Sequence, residues 1–203
     1  FQGVDREMER QCLNPDQMNK LKGWYMHASK EAVMPISLEK KLLINVGSGI
    51  IFTGKYDKLE WDDEKRNLVK IVDYKTGKPD NHLKGIEITS DVADSNCDGY
   101  FRQLVAYKLL FEKDRSESKG QAVNRASLVF IEPVASDIKK LGYKKGDYAT
   151  KTVEISDSMT ERLEKLIIEI WNNIVSLKFE KPKERDPEKC NNCDFDTICW
   201  SRR

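Results

Sequence analysis

The chain has 203 residues, of which 39% are hydrophobic and 34% charged, enough to bury the core of one globular domain. A formal net charge of +1 excludes a globally basic nucleic-acid binder, so contact with a polyanion has to come from local patches. The absence of any apolar run of about eighteen residues, of a signal-peptide pattern and of internal repeats points to a cytoplasmic protein with no membrane partner.

Phe1-Gln2-Gly3 reads as the remnant of a cleavable tag, and the chain as an expressed fragment of a longer protein. Residues 4–36 are expected to form an N-terminal helical segment, one or two helices broken near Asn14-Pro15, with Asp16 opening the second. From Ser37 the character changes to β. Leu42-Leu43-Ile44-Asn45-Val46 and Ile50-Ile51-Phe52-Thr53 flank Gly47-Ser48-Gly49, a hairpin that leads into the next strand.

The stretch from Gly54 to Lys78 carries the strongest chemical signal. Two strands are joined by the polar turn Asp62-Asp63-Glu64-Lys65-Arg66-Asn67, and a hairpin centred near Glu64 and Lys65 sets Asp57 opposite Asp73. Leu59 then faces Ile71 and Trp61 faces Val69, while Glu60 and Lys70 pair on the other face. Carboxylates so opposed repel across about 5 Å, and a divalent cation between them removes the repulsion. Lys75, two residues beyond Asp73, shares its face. Acid, acid and lysine at the end of an apolar strand face suit phosphodiester hydrolysis: the acids hold Mg²⁺ or Mn²⁺, and the lysine orients water or offsets charge on the phosphate. The plain alternative is a solvated hairpin end.

The polar region from Pro79 to Asp98 reads as a long loop, either a substrate-facing flap or a disordered insert. A helix opens at Asp98 or Gly99 and runs to about Lys113, with Gln103 and Tyr107 on one face. Ala126–Ile131 is a buried-type strand stopped by Pro133, expected to lie parallel to the Lys75 strand. Lys139, Lys140, Lys144 and Lys145 follow, a basic cluster that reads equally as solvated surface or as a track for DNA phosphates. Thr152–Ile155 is a short edge strand. Ser158 or Thr160 then caps a helix to about Lys178, whose stripe Leu163, Leu166, Ile167, Ile170, Ile174 and Leu177 is read as core.

Gly54-Lys55-Tyr56-Asp57, Ile71-Val72-Asp73-Tyr74-Lys75-Thr76-Gly77-Lys78 and Gln103-Leu104-Val105-Ala106-Tyr107 occur in this order. Together they resemble the G-x-x-D, D-Y-K-T-G and Q-x-x-x-Y pattern of RecB/AddB-type nucleases in the PD-(D/E)XK superfamily. The resemblance covers roughly Leu38 to Trp200. It implies an α/β, restriction-endonuclease-like core over residues 37–180, with a mixed sheet flanked by helices. It also implies a deoxyribonuclease, expected to be an exonuclease, acting on DNA beside a helicase domain or subunit in recombination or repair. By resemblance Asp57, Asp73 and the Tyr74 carbonyl hold the cation and Lys75 orients water. Gln103 then positions Lys75 or the DNA backbone, and Tyr107 contacts the strand being cut. The family's metal-ligating histidine lies upstream of the first acid; His27 lacks its context and is read as a surface or interface histidine. That departure motivates the rival reading, a catalytically inactive nuclease-like module that holds DNA or docks a helicase.

The tail, residues 181–203, contains Cys190, Cys193 and Cys199 in a C-x2-C-x5-C pattern. Thiolates this close can converge on one metal. Their order and place are similar to those of RecB/AddB-type members that bind an iron–sulfur cluster, which implies a [4Fe–4S] cluster in the parent protein. The fourth ligand departs from the pattern: Cys12 is the one upstream candidate and lacks the usual context, and Cys97 is read as an ordinary cysteine. Zinc and a free tail are the alternatives.

Overall fold

The computed structural model describes residues 15–83, 91–94, 97–178, 181 and 183–200. In chain order the elements are α1 (Pro15–Ala28), β1 (Ser37–Val46), β2 (Ile50–Asp63), β3 (Leu68–Lys75), α2 (Pro79–His82), α3 (Gly99–Lys113), α4 (Arg115–Ser118), β4 (Ala122–Pro133), β5 (Tyr148–Glu154), α5 (Asp157–Val175), α6 (Pro187–Cys190) and α7 (Asp196–Trp200). The fold is α/β. Its five strands form one mixed sheet in the order β1-β2-β3-β4-β5, antiparallel throughout except for the parallel pair β3 and β4.

Local chemistry sets the two hairpins. Gly47 and Gly49 take positive φ, 58° and 91°, where a residue without Cβ is unstrained. In the second turn the Asp63 carboxylate accepts the Arg66 amide, and Asn67 closes the turn in the left-handed region. The register that follows pairs Leu59 with Ile71, Glu60 with Lys70 and Trp61 with Val69, as the apolar pattern requires. Along β2 the inward positions are Ile50, Phe52, Gly54 and Tyr56, then Leu59 and Trp61, so the alternation shifts by one residue around Asp57.

Helix α3 begins where expected because the Asp98 carboxylate accepts the amides of Tyr100 and Phe101. It covers the central strands with fully buried Phe101, Leu104 and Val105. The region before it is less irregular than its composition suggests. Pro79–His82 is helical, and Leu83, Val92 and Cys97 belong to the core, with Arg102 holding the carbonyls of Val92 and Asp94. Residues 84–90, the tag remnant and Cys12 lie outside the described residues.

Strands β4 and β5 are both longer than their apolar runs. Ser127 and Thr152 bond each other across the pair, so polar residues continue the ladder. Ser156, rather than Ser158 or Thr160, stands at the N-cap position of α5, with its hydroxyl bonded to that of Ser158 and not to a backbone amide, and the helix ends at Val175. Leu163, Leu166 and Ile167 reach the core, but Ile170, Ile174 and Leu177 are exposed, Leu177 by 80%. The helix packs on α3 and β1 and its last turns continue beyond them, so the apolar stripe outlasts the surface it covers. Among the described residues no helix is long and apolar enough to cross a membrane.

A buried lysine braces α3. Lys108 Nζ, on a residue 3% exposed, bonds Glu112 Oε1 at 2.8 Å and the Val123 carbonyl at 2.6 Å, and pairs with Asp157 at 3.0 Å. It fastens α3 to the start of β4 and to α5. Lys108→Met keeps the stem but leaves the Val123 carbonyl and the Glu112 carboxylate without their cation. It is expected to lower unfolding free energy by about 3 kcal/mol, read as a lower urea midpoint at unchanged slope; a loss within about 0.5 kcal/mol, the range of ordinary surface substitutions, would refute the bracing role.

Candidate active site

The two expected acids come from adjacent strands. Asp57 of β2 accepts the Tyr74 amide through Oδ2 at 2.7 Å, which ties it to β3 beside Asp73. Tyr74 thus separates Asp73 from Lys75 and gives its amide to the other acid. Its ring meets Trp24 of α1 edge-on, with centroids 5.5 Å apart.

Asp73, Lys75, Gln103 and Tyr107 form a closed circuit. Lys75 Nζ donates to Gln103 Oε1 at 2.7 Å, and Gln103 Nε2 donates to the Tyr107 hydroxyl at 2.7 Å. That hydroxyl donates to Asp73 Oδ1 at 3.2 Å, and Asp73 Oδ2 lies 2.6 Å from Lys75 Nζ. The directions are mutually fixed: the lysine needs the amide oxygen, which turns the amide nitrogen toward tyrosine, which turns its proton toward the carboxylate.

Asp73 is 3% exposed. Its Oδ2 lies 2.6 Å from Lys75 Nζ and has no partner besides that ammonium. Among the described residues it is the one buried side-chain oxygen or nitrogen whose partner is an ion-pair contact and not a well-aligned hydrogen bond. Burial pushes the Asp73 carboxyl above the usual range, the Asp57 charge adds to this, and Lys75 and Tyr107 oppose it only in part. Burial, and then the Asp73 charge, raise the Tyr107 phenol, so it stays protonated and able to donate.

A buried carboxylate oxygen short of donors, beside a second carboxylate, suits a hard cation that binds through oxygen. Asp57 and Asp73 are the side chains that fit. Among the described residues no three His, Cys, Asp or Glu side chains converge as a ligand set, so a cation held by Asp57 and Asp73 would need backbone, water or substrate oxygens as well.

The structure adds an array that the sequence pattern does not name. The Tyr100 ring lies 4.3 Å from Lys75 Nζ, and the His82 ring packs against Tyr100 at a tilt of 46°, with centroids 4.6 Å apart. Tyr100 is three residues before Gln103, one helical turn, and that spacing could have found it. His82 has no such signal, because it arrives from α2 through the region read as a loop. Gly54 has a packing reason: a Cβ there would meet Leu110 Cδ1 at 2.5 Å, so the glycine lets α3 approach β2.

The remaining candidates stand apart. His27 is exposed on α1, its ring 5.1 Å from that of Tyr148 on β5. Cys190 is buried, Cys193 exposed and Cys199 half-buried, all as free thiols that do not converge as a metal ligand set. The tail is held instead by Arg185, which bonds both Asp196 oxygens at 2.9 Å and Asn191 at 2.8 Å. This arrangement does not fit a metal cluster on the three thiols.

On this geometry the comparison with known proteins is direct. A model of the PD-(D/E)XK nuclease superfamily matches residues 8–200, and the chain belongs to that superfamily. A search of curated proteins finds no match. Solved structures that match include a crystal structure of SSO0001, 18% identical, with a TM-score of 0.38, covering 81% of this chain. The chain spans 59% of that protein's length.

The raised Asp73 carboxyl gives a prediction with a definite sign. A folded-state pKa above the unfolded value means that the wild type gains stability as pH falls through the folded pKa. At pH 7, then, Asp73→Asn is expected to unfold at a urea midpoint equal to or above wild type. The difference should shrink as pH falls toward the carboxylate range. An Asn variant clearly less stable at pH 7 would show that Lys75 outweighs burial.

Proposed function

We propose that this domain is a deoxyribonuclease that hydrolyses phosphodiester bonds with a divalent cation, Mg²⁺ or Mn²⁺. The observation that carries the proposal is the circuit of Asp73, Lys75, Gln103 and Tyr107, with the donor-poor buried oxygen of Asp73 within it. Asp57, Asp73 and the Tyr74 carbonyl are the groups assigned to the cation. When bound, it offsets charge on the scissile phosphate and lowers the barrier to attack by water.

The chain's own residues supply position and charge. Gln103 and Tyr107 hold Lys75 and Asp73 in fixed rotamers, so little reorganisation is needed at the moment of reaction. Lys75 keeps its ammonium among Asp73, Gln103 and the Tyr100 ring. From there it can turn a donor to the attacking water and then to the phosphate oxygen on which charge develops. The motif order G-x-x-D, D-Y-K-T-G, Q-x-x-x-Y supports the finer reading of an exonuclease that works beside a helicase in DNA repair or recombination.

The test is cleavage of end-labelled single-stranded and duplex DNA in Mn²⁺, Mg²⁺ or EDTA. Wild type is expected to cut in either metal and not in EDTA. Lys75→Ala and Asp73→Ala are each expected to lose activity at least a hundredfold, of the order seen when one preorganised electrostatic group is removed, while remaining folded by circular dichroism. Wild-type-like cutting by either variant would sink the assignment.

A further inference from the structure

Strands β3 and β4 are parallel neighbours, with Lys75 in register with Phe130, so their C-terminal ends open on the same side of the sheet. Lys75 ends β3. The segment that leaves β4, residues 134–147, contains Lys139, Lys140, Lys144 and Lys145.

This segment is built rather than loose. Val134 and Ile138 are buried anchors. The Val134 amide bonds the Asp147 carbonyl at 2.8 Å, the Gly146 amide bonds the Val134 carbonyl at 2.8 Å, and Ile138 bridges Tyr143. Its own acids do not neutralise its lysines. Asp137 accepts the Lys145 amide at 2.9 Å and Asp147 accepts the Lys144 amide at 2.7 Å, so both carboxylates serve backbone donors. All four lysines are exposed, and none forms an ion pair among the described residues.

A third aspartate ties the segment to the active-site turn. Asp80 of α2, five residues after Lys75, accepts the Ala135 amide at 2.8 Å, the Ser136 amide at 3.1 Å and the Ser136 hydroxyl at 2.9 Å. The Ala135 and Ser136 donors hold its carboxyl below the usual range, so the tie stays ionised down into the acidic range. Exposed Lys78 lies on the turn between Lys75 and Asp80.

We infer that residues 134–147 form a phosphate-binding arm, which receives the nucleic-acid backbone beside the scissile bond and is held in place by Asp80. The inference rests on the nuclease reading for the identity of the ligand. The shape supports it independently: a hydrogen-bonded loop at the C-terminal ends of parallel strands, with four exposed lysines against two aspartates that accept its own backbone amides, is suited to a repeating anion.

The test uses the full chain in EDTA, with a fluorescein-labelled single-stranded oligonucleotide as probe, titrated at several salt concentrations. Three variants each remove two exposed, unpaired cations: K139S/K140S, K144S/K145S and, at the opposite end of β3, K65S/R66S. Both arm variants are expected to bind at least fivefold more weakly, with the slope of log K against log salt reduced by roughly 0.7 for each phosphate that the arm no longer neutralises. K65S/R66S should bind like wild type, and all three should keep the wild-type unfolding midpoint. Equal losses in the three variants, unchanged affinity in the arm variants, or no binding by wild type in EDTA would each overturn the arm. Cleavage in Mg²⁺ is scored separately: wild type that binds through the arm but never cuts keeps this inference and removes the catalytic one, whereas cutting with unaffected arm variants does the reverse.

Discussion

Everything in the candidate site depends on one buried ion pair, Asp73 with Lys75, and on the helix that completes it. Left to themselves the two side chains would be an expensive pair to hide from water. Gln103 and Tyr107 change that by giving the ammonium a second acceptor and the carboxylate a donor, so each charge is solvated by a neutral polar group as well as by its partner. The circuit closes only if α3 lies close to the sheet. Gly54 permits that approach, Phe101 and Leu104 drive it by burial, and Lys108 locks the helix to β4 behind it. Apolar packing therefore sets the geometry of the polar site.

The opposite face of the same hairpin solves a similar problem with a different outcome. Glu60 is buried between Lys58 and Lys70, and although burial pushes its carboxyl up, the two ammoniums outweigh burial and hold it below the usual range. Asp73 has one lysine and a neighbouring acid, and its carboxyl is raised. Two buried carboxylates on paired strands thus differ by the number of cations supplied to each. The one with two is satisfied and structural; the one with one is left able to gain from a further positive charge.

Much of this was legible in the sequence where short-range rules decide. The hairpin register followed from alternation on both sides of a polar turn, since a slip of one residue would have turned Leu59, Trp61, Val69 and Ile71 outward. The start of α3 at Asp98 or Gly99 was legible, with Asp98 proving to be the cap, and the parallel placement of β4 followed from the helix that precedes it. The failures have a common cause: they depend on where a neighbour ends. The α5 stripe looks uniform, yet only its first part finds a surface to cover, and periodicity carries no information about the length of α3 or β1. The region before α3 reads as polar loop because the core side chains among its described residues, such as Leu83, Val92 and Cys97, are too sparse to form a pattern. The cysteine spacing allowed a shared metal, but the Arg185 and Asp196 pair folds the tail without bringing the thiols together.

Net charge is a poor guide to such a chain because it counts aspartates that are already occupied. Asp63 and Asp98 accept backbone amides at a turn and a cap, as do Asp80, Asp137 and Asp147 around residues 134–147. A carboxylate so bound still has its charge, but it is drawn toward the backbone and away from the cations beside it. A lysine on the same loop extends outward on its flexible stem. On residues 134–147 the field near the surface follows the excess of cations, four lysines against two aspartates, within a screening length of about 8 Å at physiological salt. A chain with 35 basic and 34 acidic residues can in this way present a locally cationic edge, provided its acids are the ones that build the turns.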